Sequence, residues 1–113
     1  MVKRSPDLDD VFRALADPTR RAMILRLARG PATIGELGEP HAMSKPAVTK
    51  HVKVLERAGL LRREIDGRIH RCGIDPAPLQ TAQRWVERVR AHWERQFDQL
   101  ADYLNTVERK KRS

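Results

Sequence analysis

The stretch MSKPAVTKHVKVLERAGLLRREIDGRIHRCGI, residues 43–74, decides the fold of this 113-residue chain. Ser44 accepts hydrogen bonds well at a helix start, and Pro46 suits a first helical turn, where a missing N–H costs nothing. Behind them Ala47, Val48, Val52, Leu55 and Ala58 recur at three- and four-residue spacing, one face of a helix, and Gly59 ends it. The pattern then changes. Residues 61–65 and 68–74 form two short β-prone runs around Asp66-Gly67, a strong hairpin signal.

Upstream, Leu8, Val11, Phe12 and Leu15 mark a first amphipathic helix that stops near Asp17 and Pro18. Asp17 is placed to cap a second helix with Pro18 in its first position, an inward face of Met23, Ile24, Leu27 and Ala28, and an end before Gly30-Pro31. Thr33 starts a short third helix carrying Ile34 and Leu37, which Gly38 and Pro40 terminate. Two short helices joined by a tight turn, the second polar on its outer face, make a helix-turn-helix over residues 33–58, and the hairpin over 61–74 is then a wing. Downstream of Pro76 and Pro78, Leu79, Ala82, Trp85, Val86, Val89, Trp93, Phe97, Leu100, Leu104 and Val107 keep helical spacing over 78–107. A helix of that span is roughly 43 Å long, more than the core of so small a domain covers, so a second subunit is its natural cover. The expected fold is mainly α with a small β-hairpin: one winged helix-turn-helix domain over 1–113 with a long C-terminal dimerisation helix, frayed at 1–6 and 108–113.

Charge narrows the function. Lys and Arg number 23 against 15 Asp and Glu, for a net charge of +8, the balance of a polyanion binder. No apolar run has the length of a membrane span or a signal-peptide core, which points to a cytoplasmic protein. The lone cysteine, Cys72, has no partner for an intramolecular disulfide; it reads as an ordinary strand residue, with a redox role beside Arg71 as the minor alternative. There is no glycine-rich phosphate loop, no nucleophile with partners at useful spacing and no paired carboxylates in an apolar setting, so the chain does not read as an enzyme.

Residues 12–21 (FRALADPTRR), 34–37 (IGEL), 43–55 (MSKPAVTKHVKVL) and 56–60 (ERAGL) together resemble the ArsR family of bacterial repressors, with the family's order of elements over residues 8–76. The resemblance implies a homodimer that sits on a palindromic operator and blocks transcription, with a small-molecule inducer left open as a partner. The family's metal ligands do not carry over. The paired cysteines of its arsenic and cadmium sensors would fall in 33–43, which contains none, and on the last helix His92 is the lone histidine, with Asp98 and Asp102, one turn apart, as the carboxylates that could join it. The two aspartates read as solvated carboxylates, so neither metal nor cofactor is expected.

The double-stranded DNA contact is expected from Ser44, Lys45, Pro46, Thr49, Lys50 and Lys53 on the outer face of the fourth helix, with its N-terminal residues toward base edges. By the resemblance, His51 beside them meets the sugar-phosphate backbone; helix packing is its alternative role. At the wing, Arg68 beside Gly67 is placed for the minor groove, and Arg71 is the second choice among Arg62, Arg63, His70 and Arg71, only half of which share a face. Leu8, Val11, Phe12, Trp85, Val89, Trp93, Phe97, Leu100 and Leu104 are the dimer candidates. Competing readings are an architectural DNA binder of weak specificity, a protein-interaction module built on the last helix, and a metal-responsive repressor with a site assembled across subunits from His41, His51, His70 or His92.

Overall fold

The helix starts anticipated at Asp17, Thr33 and Ser44 are present in the computed structural model, which describes residues 7–112, and Asp7 adds a fourth cap that the apolar spacing did not indicate. Asp7 accepts the Asp10 amide at the start of α1 (Leu8–Leu15), and Asp17 accepts the Arg20 amide at α2 (Pro18–Leu27). Thr33 and Glu36 form a reciprocal capping box on α3 (Ile34–Gly38), and Ser44 accepts the Ala47 amide at α4 (Lys45–Arg57). Each bond satisfies an amide that the first turn of a helix leaves without a partner. Between α3 and α4, Glu39–His41 makes a 3-10 turn and Ala42 takes the left-handed conformation at φ 49°. Helix α3 therefore ends where Gly38 and Pro40 indicated, but the turn after it is more ordered than those residues alone suggest.

The hairpin differs from expectation in two ways. Strands β2 (Leu61–Asp66) and β3 (Ile69–Ile74) are joined by Gly67-Arg68, one residue later than Asp66-Gly67, because Asp66 still pairs with Ile69. Gly67, at φ 62°, takes the first turn position, where a positive φ suits glycine. The sheet also has a third strand. Residues Ala32–Thr33 form β1 and pair with Cys72 and Arg71 of β3, giving the antiparallel order β1-β3-β2. Two residues are too few to show strand periodicity, so this strand exists only because the free edge of β3 is beside it.

The described residues fall into two compact units, one up to Ala82 and one from Gln83 onward. In the first, α1 to α4 and the sheet enclose a core in which Met23, Leu37, Val52, Leu55, Leu60 and Cys72 are almost fully buried. Leu79 and Ala82, on the first turns of α5 (Ala77–Arg112), belong to this unit, Leu79 packed against the core and Ala82 buried. Ala28, expected on the inner face of α2, is instead its exposed C-cap, since the helix ends at Leu27. Gly38 is required by packing: a Cβ there would lie 2.4 Å from Cγ2 of Val48.

The second unit is helix. Residues 108–112 are helical rather than frayed: Glu108 and Arg112 pair at 3.4 Å one turn apart, and the basic last turn complements the negative end of the helix dipole. The fraying expected at 1–6, and at Ser113, lies outside the described residues. No described helix is long and apolar enough to cross a membrane.

Candidate nucleic-acid interface

Burial of Val48, Val52 and Leu55 turns the opposite face of α4 outward. Ser44, Lys45, Pro46, Lys50 and Lys53 are exposed there and Thr49 is half-buried, so the six residues chosen from helical spacing share one surface. Two of them have part of their hydrogen-bonding capacity committed. The Thr49 hydroxyl donates to the Lys45 carbonyl at 3.0 Å, which leaves its methyl and a lone pair for a partner. Ser44 Oγ accepts the Ala47 amide at 3.4 Å and keeps its O–H to give.

This surface continues into a cleft of about 440 Å³ whose lining includes Gly35, Lys45, Thr49, Arg63, Arg68 and His70. The wing's register explains which arginines reach it. Pairing of Arg63 with Cys72 and of Ile65 with His70 puts these four on one face of the sheet, whereas Glu64 and Arg71 pair on the other. Arg68, at the turn, lines the cleft. Arg71 is exposed across from Glu64 and does not line it; Arg63 and His70, passed over in favour of Arg71, do. The side of the hairpin that turns toward the core separates these alternatives: Arg63 and His70 share the face of buried Leu61 and Cys72, and Arg71 lies on the other.

Arg63 is held rather than free. Its Nη2 donates to Glu56 on α4 and its Nη1 lies 3.2 Å from Nδ1 of His70, which ties the wing to the recognition-type helix. Arg62, on the opposite face, pairs with Asp75 at 2.9 Å. Beneath the wing Cys72 is fully buried, and burial pushes its thiol pKa up while the charge of Arg63 partly opposes the rise. Desolvation thus disfavours the thiolate on which redox chemistry would depend.

His51 has only 17% of its side chain exposed. Its Nδ1 lies 3.2 Å from Nη1 of Arg20 and 3.9 Å from Oδ2 of Asp17, so it takes part in helix packing whatever else it does. The Arg20 amide first, and then the Arg20 guanidinium, holds the Asp17 carboxyl below its ordinary range. No group of three or more His, Cys, Asp or Glu able to hold a metal ion occurs among the described residues.

The residues chosen for a dimer interface divide by exposure. Trp85, Trp93, Phe97, Leu100 and Leu104 are exposed, and Leu8, Phe12 and Val89 are half-buried. Val11 is the exception: at 2% exposure it is already interior and has almost no area to offer a partner.

Comparison with known proteins agrees with this geometry. A family model described as a helix-turn-helix domain matches residues 15–64. The chain is 38% identical over 103 residues to the HTH-type transcriptional regulator Rv2034 of Mycobacterium tuberculosis, covering 91% of this chain and 92% of that protein. It is 29% identical to the transcriptional repressor SdpR of Bacillus subtilis over 70% of this chain and 88% of that one. A crystal structure of an ArsR family transcriptional regulator is 42% identical with a TM-score of 0.73, covering 77% of this chain and 96% of that one. An ArsR-like transcriptional regulator from Rhodococcus is 31% identical with a TM-score of 0.70, over 82% of this chain and 88% of that one. Fold, exposed basic helix and kinship converge: the chain belongs to the ArsR family of winged helix-turn-helix, DNA-binding transcriptional regulators and is not an enzyme.

Proposed function

We propose that the protein is a homodimeric repressor that binds a palindromic operator in the cytoplasm and does so without sensing a metal. The observation that carries the reading is the shared outward surface of Lys45, Thr49, Lys50 and Lys53 beside a cleft reached by Arg68. An α-helix fits the major groove of B-DNA, with its first turns toward base edges and later basic groups toward phosphates. Lys45, Thr49 and Lys50 are the base-side residues, with Pro46 packed against the groove; Ser44, His51 and Lys53 meet the backbone. With its hydroxyl proton given to Lys45, Thr49 offers DNA a methyl for thymine and an acceptor for an exocyclic amine. Arg68 enters the adjacent minor groove.

Homodimerisation is supported by the exposed stripe of Trp93, Phe97, Leu100 and Leu104, which a second copy of α5 would bury. Two-fold symmetry then sets the recognition helices about 34 Å apart, so the operator is an inverted repeat with that half-site spacing. The absence of cysteine from 33–43 supports a regulator outside the thiolate metal sensors.

The test is titration of the protein against the promoter region upstream of its own gene and against a scrambled duplex of equal length, at two salt concentrations. A preference of about 10³ or more for the promoter, abolished by Lys50→Ala combined with Thr49→Ala, is the expected result. Equal affinity for both duplexes at matched salt would overturn autoregulation and favour an architectural binder.

A further inference from the structure

The guanidinium of Arg20 on α2 makes three contacts beside the DNA-facing helix, and the α4 residue it meets is His51. Its Nε donates to the Ala14 carbonyl at 2.9 Å and its Nη2 to the Arg13 carbonyl at 2.8 Å. Both carbonyls belong to the last turn of α1, where helical partners run out. The third nitrogen, Nη1, lies 3.2 Å from Nδ1 of His51 on α4. A guanidinium has donors only and stays charged, so this contact is a hydrogen bond only if Nδ1 carries a lone pair. A neutral ring accepting at Nδ1 has its proton on Nε2.

The competing influence is Asp17, whose Oδ2 would draw a proton to Nδ1, but it lies 3.9 Å away and already accepts the Arg20 amide at 3.1 Å. The opposite ring nitrogen, Nε2, has no hydrogen-bond partner among the described residues, yet it is not among the buried polar atoms that lack one, so solvent reaches it. The neighbouring residue in the chain is Lys50, exposed on the DNA-facing surface.

We infer that Arg20 is a positioning residue for DNA binding: it locks His51 as the Nε2–H tautomer and presents that N–H, at the edge of the α4 surface, to a backbone phosphate. The inference rests on the reading of α4 as the helix that meets DNA. The same three bonds anchor the end of α1 to α4, so the orientation of the donor is referenced to the helical core and not to a surface rotamer.

Long-range proton–nitrogen correlation spectra of the full chain at mildly alkaline pH report the tautomer directly. The Nε2–H form is expected for His51, and a dominant Nδ1–H form overturns the inference. Arg20→Lys keeps the charge but cannot serve three acceptors in a fixed fork. It is expected to leave His51 as a mixture of tautomers and to weaken operator binding about tenfold with an unchanged salt slope, the size of one hydrogen bond to a charged group. His51→Ala is expected to cost about the same, and Arg20→Lys in the His51→Ala background almost nothing more. Equal costs of Arg20→Lys in both backgrounds would show that Arg20 acts through folding alone and overturn its positioning role. If Lys50→Ala with Thr49→Ala leaves operator affinity intact, the α4 reading itself fails, and that result is independent of the tautomer.

Discussion

Helices α4 and α5 carry the same kind of apolar stripe in sequence, yet one is consumed by its own chain and the other is not. Val52 and Leu55 of α4 are at 0% exposure, whereas Trp93 and Phe97 of α5 are at 54% and 63%. On α4 three helices and strand β2 of the sheet meet the stripe, and the polar face is left for a partner. On α5 the polar face is occupied by Arg90 with Glu87 and Glu94, and the apolar face is the one left over, with Trp93 and Phe97 rings 6.2 Å apart along it. The free surface of each helix therefore names a different partner: a polyanion for α4, an apolar surface for α5.

The comparison breaks most visibly at Leu55. Leu55→Ala removes a fully buried side chain and is expected to cost about 2–5 kcal/mol in denaturant unfolding, at every protein concentration. A loss below about 1 kcal/mol would mean that the α4 stripe is as loosely covered as that of α5.

Gly38→Ala tests how closely α3 and α4 approach. A methyl 2.4 Å from Val48 Cγ2 forces the helices apart, at an expected cost of about 1–3 kcal/mol. Val48→Ala in the same chain should recover part of that loss, since the clash is with its side chain. No recovery would place the strain in the backbone.

Asp17→Ala removes the cap of α2 and is expected to cost about 1 kcal/mol. The pH dependence has a definite sign. Asp17 has a depressed carboxyl pKa in the folded chain, so its contribution is complete above the unfolded value of about 4 and is lost as pH falls through the folded one. Acid unfolding of the Asp17→Ala variant should accordingly depend less on pH in that range than that of the parent, as a thermal melt series would record.

Phe97→Ala has the smallest expected effect on the chain alone, within about 0.5 kcal/mol, because the ring is exposed. Its effect should appear in sedimentation as weaker self-association, and in stability only at concentrations where the parent is dimeric. A concentration-independent loss as large as that at Leu55 would overturn the assignment of this face to a second copy.

Much of this was legible in the chain because the signals are local. Ser44, Thr33 and Asp17 cap where their side chains and the apolar spacing behind them indicate, and Gly59 and Gly67 mark an end and a turn. The outward face of α4 follows from period alone, since burying Val48, Val52 and Leu55 leaves Lys45, Thr49, Lys50 and Lys53 nowhere else to go.

What required the tertiary structure is everything that depends on a neighbour distant in sequence. Strand β1 is two residues long and is a strand only against β3. Alternation along the hairpin groups Arg63 with His70 and sets Arg71 apart, but that the first face, with Leu61 and Cys72, is the one turned to the core is settled by packing against the helices. Arg20 looks like one more surface charge in the sequence, and its three bonds to α1 and α4 exist only once those helices are packed. Periodicity and capping are written within a few residues, so sequence by itself determined the elements and the faces they turn outward. Strand β1 on the edge of β3 and the Arg20–His51 contact join residues tens of positions apart, and the face a hairpin turns inward depends on the helices beneath it, so packing alone decided them.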